Sequence, residues 1–372
     1  MKGSQRGEGP IALMFKRRDL LIASAAGALF NPMTSARAQS SGDSGTPGAT
    51  TPAKPDTDAW NDGLAHPIPY TPRLGTGKER GLVLGGGGAY LVSWMAGYIR
   101  ALRAGGVDLA TADIVVGTSA GSLLGAVLTA GHLDQFGDEM AFLGKYPDLF
   151  AELIPTMAPN VSQLRARHMA AAASKADPAT IQAIGRASLA ARNAAGPDSY
   201  YTAVKKLIGQ ETWPSPKLYT TAIDCYTGER LIVSHTSGIE ANHACAASSS
   251  LPGSMGPTWL QDRLCMDGGI CQTSTHCDVV AGVKRALVIS LTDGSSDASK
   301  VGLRTSGLPN TLQQEVADLK TQGTDVVLKV VGLLPGVSHV DSIMNPKWIA
   351  PCIANGEERG RADVAEMKAF WG

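Results

Sequence analysis

The segment Ile114-Val115-Val116-Gly117-Thr118-Ser119-Ala120-Gly121-Ser122-Leu123-Leu124 constrains this chain more than any other. It reads as an apolar strand, a sharp Gly-x-Ser-x-Gly turn and a helix that opens on small residues. A passage from strand to helix in so few residues needs a strained turn, and that turn lifts the serine hydroxyl to the top of a sheet. The pentapeptide alone decides little. The chain has 43 glycines, and a sequence this rich in glycine produces one such match by chance in roughly a third of cases. Its surroundings have to carry the reading.

Upstream, Arg80-Gly81-Leu82-Val83-Leu84 has the pattern of a short buried strand and ends in Gly85-Gly86-Gly87-Gly88. Ala89, Val92, Trp94, Met95, Tyr98, Ile99 and Leu102 then recur at helical spacing. Strand, glycine loop and helix together aim free backbone N–H groups at an anion. Dinucleotide binding would require a glycine where Leu91 stands, and an acidic residue closing the next strand. A P-loop would require Gly-Lys-Ser/Thr, which is missing. What remains is an oxyanion hole or a merely tight turn. Two strand–turn–helix units in succession imply neighbouring parallel strands with both turns at one carboxyl edge. Glycine N–H groups and the Ser119 hydroxyl would meet there. Acyl transfer needs that pairing of nucleophile and oxyanion donors.

A serine nucleophile needs a base. Of the histidines at positions 66, 132, 168, 235, 243, 276 and 339, an α/β-hydrolase order of Ser, acid, His leaves His276 or His339. His339, in Gly336-Val337-Ser338-His339-Val340-Asp341, is the better placed. The other candidate is Asp267, which closes the strand pattern Arg263-Leu264-Cys265-Met266 before Gly268-Gly269. Taken alone, an aspartate before Gly-Gly is ordinarily a turn residue.

These features together resemble the patatin-like phospholipase family. That family has a glycine-rich oxyanion loop, a Gly-x-Ser-x-Gly elbow some thirty residues on, and a distal Asp-Gly-Gly/Ala. All three stand here in order, at Gly86-Gly87-Gly88, Gly117 to Gly121, and Asp267-Gly268-Gly269. Leu218-Tyr219-Thr220-Thr221-Ala222-Ile223-Asp224, with Thr227-Gly228-Glu229, looks like the family's strand and turn before its distal segment. Ala246-Ala247-Ser248-Ser249-Ser250-Leu251-Pro252-Gly253 looks like the run that precedes its aspartate. The resemblance covers residues 78–372 and is weakest over 140–216. It implies a three-layer α/β/α sandwich around a mainly parallel sheet and a Ser–Asp dyad with no catalytic histidine. Ser119 would be the nucleophile and Asp267 the general base and acid. Gly86, Gly87, Gly88 and the N–H of Ala120 would bind the oxyanion, with Gly117, Gly121, Gly268 and Gly269 as motif glycines. No metal or cofactor is implied. The substrate would be a lipid ester met at membrane or micelle surfaces, phospholipid first and neutral lipid next. Two departures stand out. Tyr90-Leu91 replaces the usual cation and glycine after the glycine run, and Gln272-Thr273-Ser274 replaces Asn-x-Pro.

The alternatives are an α/β-hydrolase-type esterase using His339 and a catalytically silent lipid-binding protein. The chain's 33 basic and 33 acidic residues cancel, which argues against a nucleic-acid binder. No apolar run is long enough to span a membrane. At 372 residues the chain has room for two average domains, or for one large α/β domain with an insertion.

Lys16-Arg17-Arg18, an apolar run over 20–30 and Ala36-Arg37-Ala38 have the form of a twin-arginine export signal over residues 1–38, cleaved near Ala38. The Tat translocase would then be a partner and the periplasm or exterior the destination. Residues 39–77, rich in Ser, Gly, Thr and Pro, read as a flexible linker to a hydrolase domain over 78–372. Within it, 140–216 is expected to be a helical insertion or lid, with helices over 161–174 and 180–193. Strands are expected over 283–291 and 325–331, and helices over 311–320 and 361–370. Cys225, Cys245, Cys265, Cys271, Cys277 and Cys352 fit buried or disulfide roles better than metal ligation with His243 or His276, since no Cys-x-x-Cys spacing occurs.

Overall fold

A computed structural model describes residues 73–149, 159–191 and 199–372. The expected export signal and nearly all of the linker lie outside the described residues, as do two stretches of the 140–216 insertion. Residues 73–77, read as the end of the linker, form a turn on the domain instead. The Gly75 N–H donates to the Ala281 carbonyl at 3.1 Å, and Leu74 packs beside Val283.

Strand and helix alternate at first: β1 (Arg80–Leu84), α1 (Gly88–Ala104), β2 (Ile114–Gly117), α2 (Ala120–Thr129) and α3 (Leu133–Lys145). Next come α4 (Val161–Ala172), α5 (Pro178–Ala190) and α6 (Ser199–Ile208). Asn160 caps α4 with a reciprocal capping box through Gln163, and Asp177 caps α5 ahead of Pro178, so both helices start where their sequence permits. The hairpin β3 (Leu218–Asp224) and β4 (Arg230–Ser234) follows, then α7 (Ala241–Ser248), β5 (Thr258–Leu260) and β6 (Arg263–Asp267). β7 (Arg285–Ser290), the short α8 (Asp297–Lys300), α9 (Leu312–Thr321), β8 (Asp325–Val330) and α10 (Ile349–Trp371) complete the chain.

The sheet runs β5-β6-β3-β2-β1-β7-β8, with β4 also paired to β3. The stretch from β3 to β8 is parallel, and β4, β5 and β6 are antiparallel to their neighbours. Alternate residues of the parallel strands enter different cores. Leu82, Leu84, Val115, Leu287 and Ile289 pack with α1, α2 and α10. Val83, Ile114, Val116, Ala286 and Val288 pack with α9 and the turn Cys277–Val280. A sheet buried on both faces needs near-continuous apolar runs, which the central strands β1, β2 and β7 carry. The result is an α/β/α sandwich with a mainly parallel centre.

Most of the expected elements form within a residue or two, but the last helix does not. Expected over 361–370, it spans Ile349–Trp371. Pro351 sits in its first turn, where proline is tolerated. Gly356 and Gly360 lower helix propensity, yet they fit the packing. α10 crosses α1 so closely that a Cβ on Gly356 would lie 2.1 Å from the Trp94 carbonyl oxygen, and one on Gly97 2.3 Å from that of Ile353. Trp94 Nε1 and Tyr98 Oη then donate to Asn355 and Asp363, both at 2.9 Å. Arg80 and Arg285, at the starts of β1 and β7, donate to the Trp371 and Phe370 carbonyls at the helix C-terminus.

Gly356→Ala should therefore lower thermal stability by about 1–3 kcal/mol through overpacking. A melting curve unchanged from wild type would show that the two helices can part freely.

Candidate active site

β3 acts as a rail for the site. β4 occupies one edge of β3 from Tyr219 to Ile223. On the other edge β2 pairs with residues 218–220 and β6 with residues 222–224. β6 runs antiparallel to β3, so the ends of β2 and β6 face each other along that edge. Gly117 pairs with Thr220 and Asp267 with Ala222, two residues apart, or roughly 6–7 Å of strand. Between them Thr221 Oγ1 lies 2.8 Å from Thr118 Oγ1.

Ser119 follows at φ 53° and ψ −119°, in the left-handed half of backbone space. A non-glycine residue is held there only when its surroundings over-determine it. The surroundings are visible. A Cβ on Gly121 would lie 1.9 Å from the Leu84 carbonyl oxygen, and one on Gly117 2.4 Å from that of Gly121. The two motif glycines let the start of α2 rest on the end of β1. Ser119 N–H donates to Ser248 Oγ at 3.0 Å, and Gly268 N–H donates to the Ser248 carbonyl at 3.2 Å. Asp267 N–H donates to the Ser250 carbonyl at 2.9 Å. The Ser248–Ser250 stretch thus clamps both strand ends.

Asp267 is buried, and Oδ1 accepts the Gly269 N–H at 2.7 Å. Oδ2 has no partner in full hydrogen-bond geometry. Burial pushes the carboxyl pKa up to about 6, and the Gly269 N–H and the nearby Ser119 hydroxyl restrain the rise. A carboxyl half ionised near pH 6 is mostly ionised at neutrality and more basic than an exposed aspartate, which suits a proton acceptor that must later return the proton.

The glycine loop lies across Ser119, since a Cβ on Gly86 would sit 3.2 Å from Ser119 Cβ. One expected donor is already committed: Gly86 N–H donates to the Ser274 carbonyl at 3.0 Å. Gly87 caps α1 and Gly88 opens it, so their N–H groups lie in the helix's unsatisfied first turn. Ala120, which opens α2, is placed likewise. Tyr90, at the family's cation position, is buried. Its hydroxyl donates to the Gly332 carbonyl at 3.1 Å and accepts from Leu334 N–H at 3.0 Å.

Gly86, Gly87, Gly88, Ser119, Asp267 and Gly269 line one cleft that opens to solvent. Leu251, Ile270, Leu291, Leu303 and Ile343 make its apolar wall. His339 is exposed and lies outside that wall. His276 is fully buried, and burial together with Arg230 pulls its pKa down to about 4. Its Nδ1 faces Arg230 Nη1 at 3.3 Å and so accepts, which leaves the Nε2 proton for the Gly268 carbonyl at 2.8 Å. His276 braces the Asp267 turn and does not face Ser119. All six cysteines are free thiols, and among the described residues no His, Cys, Asp or Glu cluster forms a metal site.

Sequence reasoning assigned no role to Ser248 or Thr221, and it weighed His276 as a triad base or metal ligand instead of a brace. Each acts through a contact distant in sequence, and only the small-residue run around Ser248 left a local signal.

An α/β/α sandwich with a serine elbow, a glycine loop and an aspartate on one sheet edge defines a class of hydrolase-like folds. A family model described as patatin-like phospholipase matches residues 82–275, and the chain belongs to that family, which is one of lipid hydrolases. No curated protein matches the chain. Among solved structures, the type III effector protein ExoU is 14% identical, with a TM-score of 0.30, over 76% of this chain and 53% of that one. The chain thus spans about half the length of ExoU. VipD from Legionella pneumophila is 14% identical, with a TM-score of 0.34, over 78% of this chain and 67% of that one.

If burial sets the Asp267 pKa, the native state binds more protons than the unfolded chain between the ordinary carboxylate value near 4 and about pH 6. Stability then falls as pH rises through that window and stays reduced above it. Asp267→Asn should raise the melting temperature at pH 7.5, by up to about 3 kcal/mol of stability, with the gain vanishing near pH 4. A variant less stable than wild type at pH 7.5 would show that the carboxylate is not held at a cost.

Proposed function

We propose that this protein is a lipid acyl hydrolase working through a Ser119–Asp267 dyad, with phospholipid as its leading substrate. One observation carries the reading. The strained Ser119 and the partnerless Oδ2 of a buried Asp267 share an apolar-walled cleft with Gly87 and Gly88 at the start of α1, and Ala120 follows Ser119 at the start of α2.

Ser119 Oγ attacks the ester carbonyl carbon and its proton passes to Asp267 Oδ2. The carbonyl oxygen, now negative, accepts from the N–H groups of Gly87, Gly88 and Ala120. Preorganised donors of this kind are each worth about 3 kcal/mol of barrier. As the tetrahedral intermediate collapses, the C–O bond to the alcohol breaks and Asp267 returns the proton to the leaving oxygen. Water then attacks the acyl-Ser119 ester, giving its proton to Asp267, and the fatty acid leaves as Ser119 regains its hydrogen. Gly86 supports this arrangement through Ser274 and donates nothing to the oxyanion. Acylation should show a rising limb in kcat/KM centred near pH 6, where Asp267 ionises.

Ser119→Ala should abolish labelling by a fluorophosphonate probe and cut turnover of phospholipid in mixed micelles by about a thousandfold or more. His339→Ala should leave turnover near wild type. A probe that fails to label folded wild-type protein would favour the silent lipid-binding alternative, and loss of activity in His339→Ala would favour the triad.

Residues 1–38 are proposed to direct the chain through the twin-arginine route to the periplasm or beyond. In a bacterial host, replacing Arg17 and Arg18 by Lys should hold the precursor in the cytoplasm. Mature protein still appearing outside the cytoplasm would argue against that route.

A further inference from the structure

The glycine loop carries no cation, yet the cleft has one. Arg304 lines it, on the loop between α8 and α9. Among the described residues Arg304 makes one hydrogen bond, from Nη1 to the Leu308 carbonyl at 2.8 Å, and no ion pair. The arginines elsewhere in the buried framework are paired: Arg230 binds both oxygens of Asp278 at 2.8 Å, and Arg263 reaches Asp224 at 3.4 Å. A half-buried guanidinium without an anion is costly to keep, and burial lowers the Arg304 pKa accordingly.

The loop that carries Arg304 is packed in place. Gly307 N–H donates to the Ala170 carbonyl at 3.0 Å, Leu308 is buried beside Met266 and Ile270, and Leu308 N–H donates to Ser306 Oγ at 3.1 Å. The last bond uses Ser306 Oγ as an acceptor and leaves its hydrogen free to donate. Thr305 and Ser306 also line the cleft, so hydroxyl donors flank the guanidinium.

We propose that Arg304 is a specificity-determining residue that binds the phosphodiester of a glycerophospholipid while Ser119 attacks an acyl ester of the same molecule. The inference rests on the acyl hydrolase reading above. In such a lipid only glycerol carbons separate phosphate from ester, so one cleft can hold both. Guanidinium binds phosphate oxygens through a planar fork of N–H donors, and the neighbouring hydroxyls add hydrogen bonds to the same group.

The test compares full-length wild type, Arg304→Gln and Arg304→Lys in uncharged detergent micelles. The substrates are phosphatidylcholine, diacylglycerol and a short-chain p-nitrophenyl ester. Arg304→Gln should lower kcat/KM for phosphatidylcholine by roughly ten- to a hundredfold, the range expected for loss of a charge-assisted pair. It should leave both neutral esters within about threefold of wild type. Arg304→Lys should fall between, since it keeps the charge and loses the fork. Equal losses on all three substrates would make Arg304 structural and overturn the proposal, and so would no loss on any. An unchanged kcat/KM with relief of inhibition by added oleate would assign the guanidinium to the product carboxylate and also overturn it. Wild type inert toward every ester and toward the fluorophosphonate would sink the hydrolase reading itself. Probe-reactive wild type with an indifferent Arg304→Gln would sink this inference alone.

Discussion

The site depends on backbone pairing along a single edge of β3. β2 and β6 enter that edge from opposite directions and stop two residues apart, which fixes the separation of Ser119 and Asp267 in ladder units. Side-chain flexibility hardly enters. The long chain between the two residues can vary so long as β6 docks in register, because a slip of one residue would turn Asp267 to the other face. Ser248 adds a second clamp by bonding the backbone of both strand ends. The arrangement explains how Ser119 stays put in a strained conformation. Its backbone is held by the end of β1, by α2 and by α7.

The same geometry imposes an electrostatic cost. Placing a carboxylate at the buried end of β6 leaves it with one firm N–H partner and raises its pKa. Burial makes the Asp267 carboxylate more basic than an exposed one, and it also lowers the stability of the fold above pH 6. Beneath it lies a network with better-matched partners. His276 braces the Gly268 carbonyl, Arg230 faces His276 and binds Asp278, and Glu315 accepts from Thr275 and from the Cys277 N–H. That network stiffens the Asp267 turn without supplying it a charge partner, so the carboxyl stays poised to exchange a proton.

Much of this was legible in the sequence, for physical reasons that differ from element to element. The strand–glycine–helix units at Leu84 and Gly117 are local patterns, although what requires Gly121 is the distant Leu84 carbonyl. Helix α10 was half hidden, because Gly356 and Gly360 look like helix breakers until α1 is known to lie against them. Gly86 was read as an oxyanion donor, since nothing local reveals that the Ser274 carbonyl arrives from far along the chain. Arg304 left no signal at all. An isolated arginine in a Ser/Gly loop acquires meaning only from the wall it joins.

Tyr90 links these departures. Where the family's usual cation is absent, the phenol turns inward and bridges the Gly332 carbonyl and the Leu334 N–H, while its own backbone N–H donates to the Ile343 carbonyl at 2.9 Å. Burial pushes the phenol pKa up to about 12, so it remains a proton donor at any working pH. These bonds draw the segment around residues 332–343 over the glycine loop and set Ile343 in the cleft wall. A cation at position 90 could not accept the Leu334 N–H, and the wall would lose that anchor. The loop position therefore serves apolar enclosure in this protein, and a positive charge for the cleft has to come from another element. If Arg304 reads the headgroup as proposed, that charge comes from the loop after β7, and headgroup recognition and oxyanion stabilisation would fall to separate elements.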